Sequence, residues 1–252
     1  MRTIAALRDA SAKTDLEQGE MMRRLLLAFA LGAALAAGCC ATALADTGDA
    51  TLTPDVPTAE TKAESAAFSD WVTGGGPTRV DAPYGYLSTT YCPQQRAYWC
   101  GPAAVQTALT NFGIKPAQST IAARLGTTGG GTSMSVVDDV LRLYTGRPYV
   151  YHGATSSTDF YNHVLYSIYS KGRPVVVDVR IVAPWGPYRK DHAGHIITMD
   201  AVDWRSSTVR MNDSFNEASW ISGGGPTGGE TTYARSVMWT GVYRHAGHPI
   251  VY

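Results

Sequence analysis

One cysteine stands where a helix is expected to begin. Cys100 is followed by Gly101 and Pro102 and then by alanine, valine and leucine residues at helical spacing, until Gly113 ends the pattern. Proline is favoured in the first turn of a helix because its missing N–H would have no acceptor there. A thiol at this position faces unpaired backbone N–H groups and the positive end of the helix dipole, which stabilise a thiolate. Cys100 therefore has the surroundings of a nucleophile.

A nucleophilic thiol needs a base, and His195 fits that role. It follows a glycine and begins an apolar, strand-like run, so its ring is expected to be held rigidly while it stays accessible. Imidazole titrates near pH 6.5, so it can accept the thiol proton and return it to a leaving amine. Asp213 or Asn212, at the end of the next short strand, could orient the ring. His192 is the rival base, but it does not border the apolar run.

Gln94 stands six residues before the cysteine and is an uncharged hydrogen-bond donor. Its amide and the backbone N–H of Cys100 together could form an oxyanion hole. We interpret Gln95 as a solvent-facing loop residue. A disulfide between Cys92 and Cys100 is the competing interpretation, because two cysteine thiols can form a disulfide in an oxidising compartment.

These residues, taken in order, resemble the peptidase C39-like family of papain-fold cysteine peptidases. The similarity is in Gln-x5-Cys-Gly-Pro-Ala, then Gly-His before an apolar strand, then an aspartate that closes the next strand. It extends over roughly Pro83 to Trp239. The resemblance implies thiol-dependent cleavage of peptide bonds, with Cys100 as nucleophile, Gln94 as oxyanion donor, His195 as base and Asp213 as orienting residue.

The chain also departs from the best-known members of that family. Those members trim leader peptides after paired glycines and are fused to export transporters, whereas this sequence has no such membrane spans. Asp-Ser stands where Asp-Pro is usual after the orienting strand, which weakens the choice of Asp213 over Asn212. Trimming of leader peptides is therefore not the expected activity.

The apolar pattern predicts helices first and strands later, which is the segregated order of an α+β domain. The resemblance specifies this as a papain-like fold, with N-terminal helices packed on a C-terminal antiparallel β-sheet. The predicted helices cover 100–112, 118–125, 135–144 and 157–169. The predicted strands cover 174–181, 195–201, 208–211 and 236–243.

The N-terminal region has the pattern of a leader. A basic pair, an apolar stretch and a small-residue site over Met21–Ala45 predict a secretory signal peptide, with translation starting at Met21 or Met22. Lipid attachment at Cys39 is the less favoured alternative, because the cleavage box departs from the usual one. We expect 1–45 to be extension and signal peptide, 46–77 a flexible linker, and 78–252 the peptidase-like domain, secreted without stable membrane insertion.

Composition narrows the partners. The 21 basic and 21 acidic residues balance, and no basic run indicates nucleic acid as a partner. The remaining histidines have no zinc-like spacing with cysteines or carboxylates, and we interpret the segment 245–248 as a tail. We therefore expect a peptide or protein substrate, no metal and no cofactor.

Three functions remain open from the sequence. A secreted endopeptidase acting through a thioester is favoured by the spacing of Gln94 and Cys100. A cell-wall amidase or a transglutaminase-like acyl transferase would use the same cysteine–histidine geometry. A non-catalytic papain-like binding module would be indicated by loss of the cysteine, histidine or glutamine, and all three are present.

Overall fold

The computed structural model describes residues 57–76, 84–182 and 185–252, so the predicted signal peptide lies outside the described part. Within these residues seven strands form one antiparallel sheet in the order β2-β7-β3-β4-β5-β6, and β1 pairs with the end of β4. The strands are β1 (Tyr84–Tyr86), β2 (Tyr151–Gly153), β3 (Val175–Ile181), β4 (His192–Asp203), β5 (Thr208–Asp213), β6 (Gly229–Ala234) and β7 (Pro249–Val251).

In the described part of the chain, five α-helices precede the long strands β3, β4 and β5, which agrees with the predicted α+β order, and two more α-helices follow β5. None of the helices in the described residues has the length and apolar character needed to cross a membrane. The helices are α1 (Ala59–Thr73), α2 (Cys100–Thr110), α3 (Gln118–Arg124), α4 (Val137–Thr145), α5 (Ser157–Leu165), α6 (Glu217–Trp220) and α7 (Arg235–Arg244). A 3₁₀ turn precedes α4, and a short π-helix follows α5.

Helices cover both faces of the sheet. Val176 on β3 packs with apolar residues of α2, α3 and α4, whereas Val175 and Val177 pack with residues of α5 and α7. Successive side chains of a strand point to opposite faces, so one apolar strand contributes to both cores. The valine-rich β3 is therefore held between two layers and forms a rigid base for the strand beside it.

The segment predicted as a last strand, 236–243, is instead the helix α7, so that prediction was wrong. Its buried residues are Met238, Gly241 and Val242, which recur at the spacing of a helix face. A Cβ on Gly241 would lie 3.3 Å from both Trp185 and Val179, so the glycine lets the helix approach the sheet closely. The valine and threonine residues of this segment are compatible with a strand, but the close packing of its buried face against the sheet favours a helix.

A helix also lies within the segment expected to be a flexible linker. Helix α1 begins after Thr58, whose hydroxyl accepts a hydrogen bond from the Thr61 N–H. Buried Glu64 forms an ion pair with buried Arg173, and the Phe68 ring stacks on His163 at 3.7 Å between centroids. The weak amphipathic pattern of α1 concealed the helix, and these long-range contacts hold it on the domain.

We expect Glu64→Ala to lower the free energy of unfolding by about 3–5 kcal/mol, because it leaves the Arg173 cation buried without its partner. Urea unfolding followed by circular dichroism measures the change. Glu60→Ala is the matched control, because Glu60 is an exposed carboxylate on the same helix. Equal effects of the two changes would contradict the role of the buried pair.

Candidate active site

The thiol of Cys100 lies at the start of α2 and is partly exposed. The residue before it, Trp99, makes no side-chain cap, so the first-turn N–H groups are left for another acceptor. A Cβ on Gly101 would collide with the Thr132 side chain, so a larger residue at that position would displace Thr132. The predicted helix start at Cys100 is therefore confirmed, and the next residue, Gly101, is packed tightly against Thr132.

The imidazole of His195 joins the thiol to a carboxylate. It lies near the start of β4, only 4% exposed, and its Nε2 is 2.7 Å from Asp213 Oδ1. The Cys100 side chain is also near enough to this imidazole to raise its pKa. Because Asp213 occupies Nε2, the nitrogen available to the sulfur is Nδ1. The structure thus brings Cys100, His195 and Asp213 together as a candidate relay of three side chains.

The sheet register places Asp213, rather than Asn212, beside the imidazole. Asn212 pairs with Thr198 on β4, and its amide donates to the Thr89 hydroxyl at 3.0 Å. Alternation turns the next side chain to the opposite face, which is the face of residues 195 and 197. Asp213 is fully buried there and also accepts hydrogen bonds from the Tyr188 hydroxyl and the Phe215 N–H.

The relay favours a charged imidazole. Burial lowers the pKa of His195, but the charge of Asp213 and its hydrogen bond, together with the neighbouring Cys100 side chain, raise it to about 10. The ring is therefore held as an imidazolium at neutral pH. A cationic imidazole is one of the neighbours that activate a cysteine as a nucleophile.

Gln94 lies buried in the loop before α2. Its amide nitrogen donates to the carbonyl oxygens of Arg96 and Ala97 at 2.9 and 3.1 Å, and its Oε1 is buried without a partner. Its backbone N–H donates to the Ser214 carbonyl oxygen, which ties this loop to the end of β5. Gln95 is exposed, as expected. In this arrangement the Gln94 amide supports the loop, and it would have to rotate to reach an oxyanion.

The two remaining candidates are His192 and Cys92. His192 places Nε2 2.9 Å from Glu217 Oε1, and that fully buried carboxylate also accepts the N–H groups of Arg189 and Lys190. These hydrogen bonds hold residues 189 and 190, just before β4. Cys92 is a free thiol, 2% exposed, and burial raises its pKa. Cys100 is likewise free, so the competing disulfide interpretation was wrong.

A cavity of about 400 Å³ opens at Cys100 and contains two residues that the sequence analysis missed. Asp178 accepts the backbone N–H of His195 at 3.0 Å, and its Oδ2 lies 3.4 Å from His245 Nε2. His245 therefore lines the cavity, and the interpretation of 245–248 as a tail was wrong. An aspartate within a run of buried valines was the signal in the sequence for Asp178. No comparable pattern marked His245.

Among the described residues, one set of three side chains could hold a metal ion: His152, Asp159 and His163. They already bind one another, with His152 Nε2 2.9 Å from Asp159 Oδ2 and His163 Nδ1 2.9 Å from the Asp159 carbonyl oxygen. The two imidazoles stack at 4.1 Å between centroids, and burial lowers the pKa of His163 to about 4. These contacts account for the cluster as a link between β2 and α5. The absence of a metal requirement stays a prediction.

Comparison with known proteins gives one family. The sequence model of the family described as the Peptidase_C39 like family matches residues 86–225. This segment includes Gln94, Cys100, His195 and Asp213. None of the curated proteins matches the chain.

Solved structures of peptidase domains are also similar. A double glycine motif protease from an AMS/PCAT transporter, in complex with the leader peptide, is 11% identical with a TM-score of 0.44, covering 66% of this chain and 91% of its own. The peptidase domain of Streptococcus ComA, a bi-functional ABC transporter, is 14% identical with a TM-score of 0.44, covering 66% and 97%. A Bacillus anthracis protein described as a C39-like peptidase is 12% identical with a TM-score of 0.45, covering 67% and 96%.

Proposed function

The chain belongs to the Peptidase_C39 like family, and from that premise we propose that it is a cysteine peptidase that hydrolyses peptide bonds through Cys100, His195 and Asp213. Membership agrees with the resemblance and the papain-like α+β fold expected from the sequence. The observation that carries the proposal is that Cys100 begins a helix beside buried His195, whose Nε2 lies 2.7 Å from Asp213 Oδ1.

The proposed reaction has two stages. The Cys100 sulfur, its proton held on His195 Nδ1, attacks the carbonyl carbon of the peptide bond and forms a tetrahedral oxyanion. His195 then gives this proton to the leaving nitrogen, the C–N bond breaks and a thioester remains. Water attacks the thioester while His195 takes its proton, the C–S bond breaks, and the acid product leaves with the thiol restored.

Asp213 keeps the imidazole in the orientation that this proton transfer needs. Its Oδ1 fixes Nε2, so the other nitrogen remains directed to the sulfur. The backbone N–H of Cys100, in the first turn of α2, is the proposed main-chain donor to the oxyanion. Gln94 is the proposed side-chain donor, once its amide turns from the Arg96 and Ala97 carbonyl oxygens.

Isotope incorporation tests the reaction type. Peptides cleaved in H₂¹⁸O should gain one ¹⁸O atom at each new carboxyl terminus, as detected by mass spectrometry, because water resolves the thioester. Transfer of the acyl group to an added amine in place of water would indicate an acyl transferase. Cleavage of peptidoglycan fragments but of no ordinary peptide would indicate a cell-wall amidase.

Gln94→Ala should lower kcat by about 10²–10³-fold, which is the usual effect of removing an oxyanion donor. Steady-state kinetics measure the loss, and the rate of Cys100 alkylation shows whether the thiol is still activated. Gln95→Ala is the matched control on the adjacent, exposed residue. A fall in kcat together with an equal fall in alkylation would assign Gln94 to loop support rather than to the oxyanion.

We also propose that the protein is exported. The support is the pattern over Met21–Ala45, in which a basic pair, an apolar stretch and a small-residue site follow one another. The exported form should begin at Asp46, which N-terminal sequencing reads directly. A mature form that begins with a lipid-modified Cys39 would overturn the signal-peptide assignment in favour of a lipoprotein.

A further inference from the structure

The cavity at Cys100 has an acidic residue that the proposed reaction does not use. Asp178, on β3, lines the cavity and is 8% exposed as a whole residue. Its Oδ1 is fixed by the His195 N–H at 3.0 Å, so the carboxylate has a defined position beside the catalytic residues. The other oxygen lies 3.4 Å from His245 Nε2. That separation exceeds the roughly 2.7–2.9 Å of a charge-assisted hydrogen bond.

The rest of the lining offers no strong positive charge to this carboxylate. Among the described residues that line the cavity, none is lysine or arginine, and the polar side chains besides Asp178 and His245 are the Cys100 thiol and hydroxyl groups. Burial raises the pKa of Asp178, while the charges of His245 and His195 act in the opposite direction. The ionised carboxylate is thus only partly compensated, and a further cation would stabilise it.

The space beside the carboxylate is open to a ligand. Residue 194 is a glycine, and a Cβ there would lie 3.3 Å from His245 Nε2 and 3.6 Å from Asp178 Oδ1. A side chain at this position would therefore crowd the Asp178–His245 pair. Cys100 and this pair line one cavity of about 400 Å³, which can hold one long side chain next to the reacting bond.

We propose that this cavity is a specificity subsite that binds a basic side chain, lysine or arginine, of a substrate residue next to the cleaved bond, with Asp178 as the recognising carboxylate. The inference rests on the proposed peptidase function and adds the substrate class. His245 limits the preference, because its imidazole shares Asp178 with the incoming cation.

The test uses pairs of quenched fluorescent peptides that carry either lysine or norleucine at each position around the cleaved bond. Norleucine has nearly the same shape and lacks the ammonium group. At one position kcat/KM should favour lysine by about 10-fold or more, the usual effect of one hydrogen bond between charged partners. The Asp178→Asn variant should bring this ratio close to one, and His245→Gln should raise it. Each ratio is independent of how much of the enzyme is active.

Asn at position 178 retains an acceptor for the His195 N–H, so loss of charge is separated from loss of that bond. Asp70→Asn is the control, because it removes an exposed carboxylate that does not line the cavity. Equal cleavage of lysine and norleucine peptides by the wild-type protein, or a lysine preference that survives Asp178→Asn, would overturn the subsite and leave the peptidase standing. Absence of cleavage with every peptide, and of Cys100 alkylation, would overturn both.

Discussion

Replacing Cys100 with serine is expected to lower kcat/KM for peptide cleavage by about 10⁴-fold or more, which is the scale of nucleophile loss in hydrolases that act through a triad. A hydroxyl has a far higher pKa than a thiol, so neither the helix start nor His195 can keep it ionised at neutral pH. Peptide turnover measured under pseudo-first-order conditions gives the ratio directly.

The same residue should be the site of covalent labelling. One equivalent of iodoacetamide near neutral pH should add a single carbamidomethyl group at Cys100, as seen by intact mass. Cys92 provides the matched control, because it is a free thiol that is buried and has a raised pKa. Cys92→Ser should keep both labelling and activity. Preferential labelling of Cys92, or an active Cys100→Ser protein, would disprove the assignment of the nucleophile.

Asp213→Asn is expected to lower kcat by about 10⁴-fold, the effect known for the corresponding change in a serine protease triad. An amide in this place can present its NH₂ group to Nε2, which favours the wrong tautomer of His195. The carboxylate also contributes to raising the pKa of His195 from 6.5 to about 10. Without that charge the imidazolium should lose its proton at a lower pH.

The pH dependence separates this role from simple destabilisation. Because the pKa of His195 in the folded protein is raised to about 10, the ring stays charged until the pH passes that value. Wild-type activity should therefore fall on the alkaline side near pH 10. In Asp213→Asn the alkaline fall should move to a lower pH. Asn212→Ala is the control, since Asn212 faces Thr89. If activity falls at the same alkaline pH in both variants as in the wild type, Asp213 does not set the charge of His195.

The local sequence determined the elements that carry the nucleophile and the base. Gly101 and Pro102 fix the start of α2, and the alanine and valine residues after them give it a buried face. The valines of β3 and the isoleucines after His195 favour strands through their branched side chains. Such preferences depend on a few neighbouring residues, so they can be predicted from the sequence without a structure.

Tertiary structure decided the contacts between distant segments. The choice of Asp213 over Asn212 depends on the register of β4 and β5, because a shift of one residue turns every side chain to the other face. α7 is a helix because residues spaced three and four apart pack on the sheet, although its composition favoured a strand.

The sequence by itself thus determined that a thiol begins a helix and that a histidine begins a strand, since both follow from neighbouring residues. Only the folded chain decided which carboxylate orients the histidine and that Asp178 and His245 share the cavity with Cys100. The physical reason is that hydrogen bonds and charges act over a few ångströms. Residues that are dozens of positions apart come within that range only when the sheet has formed.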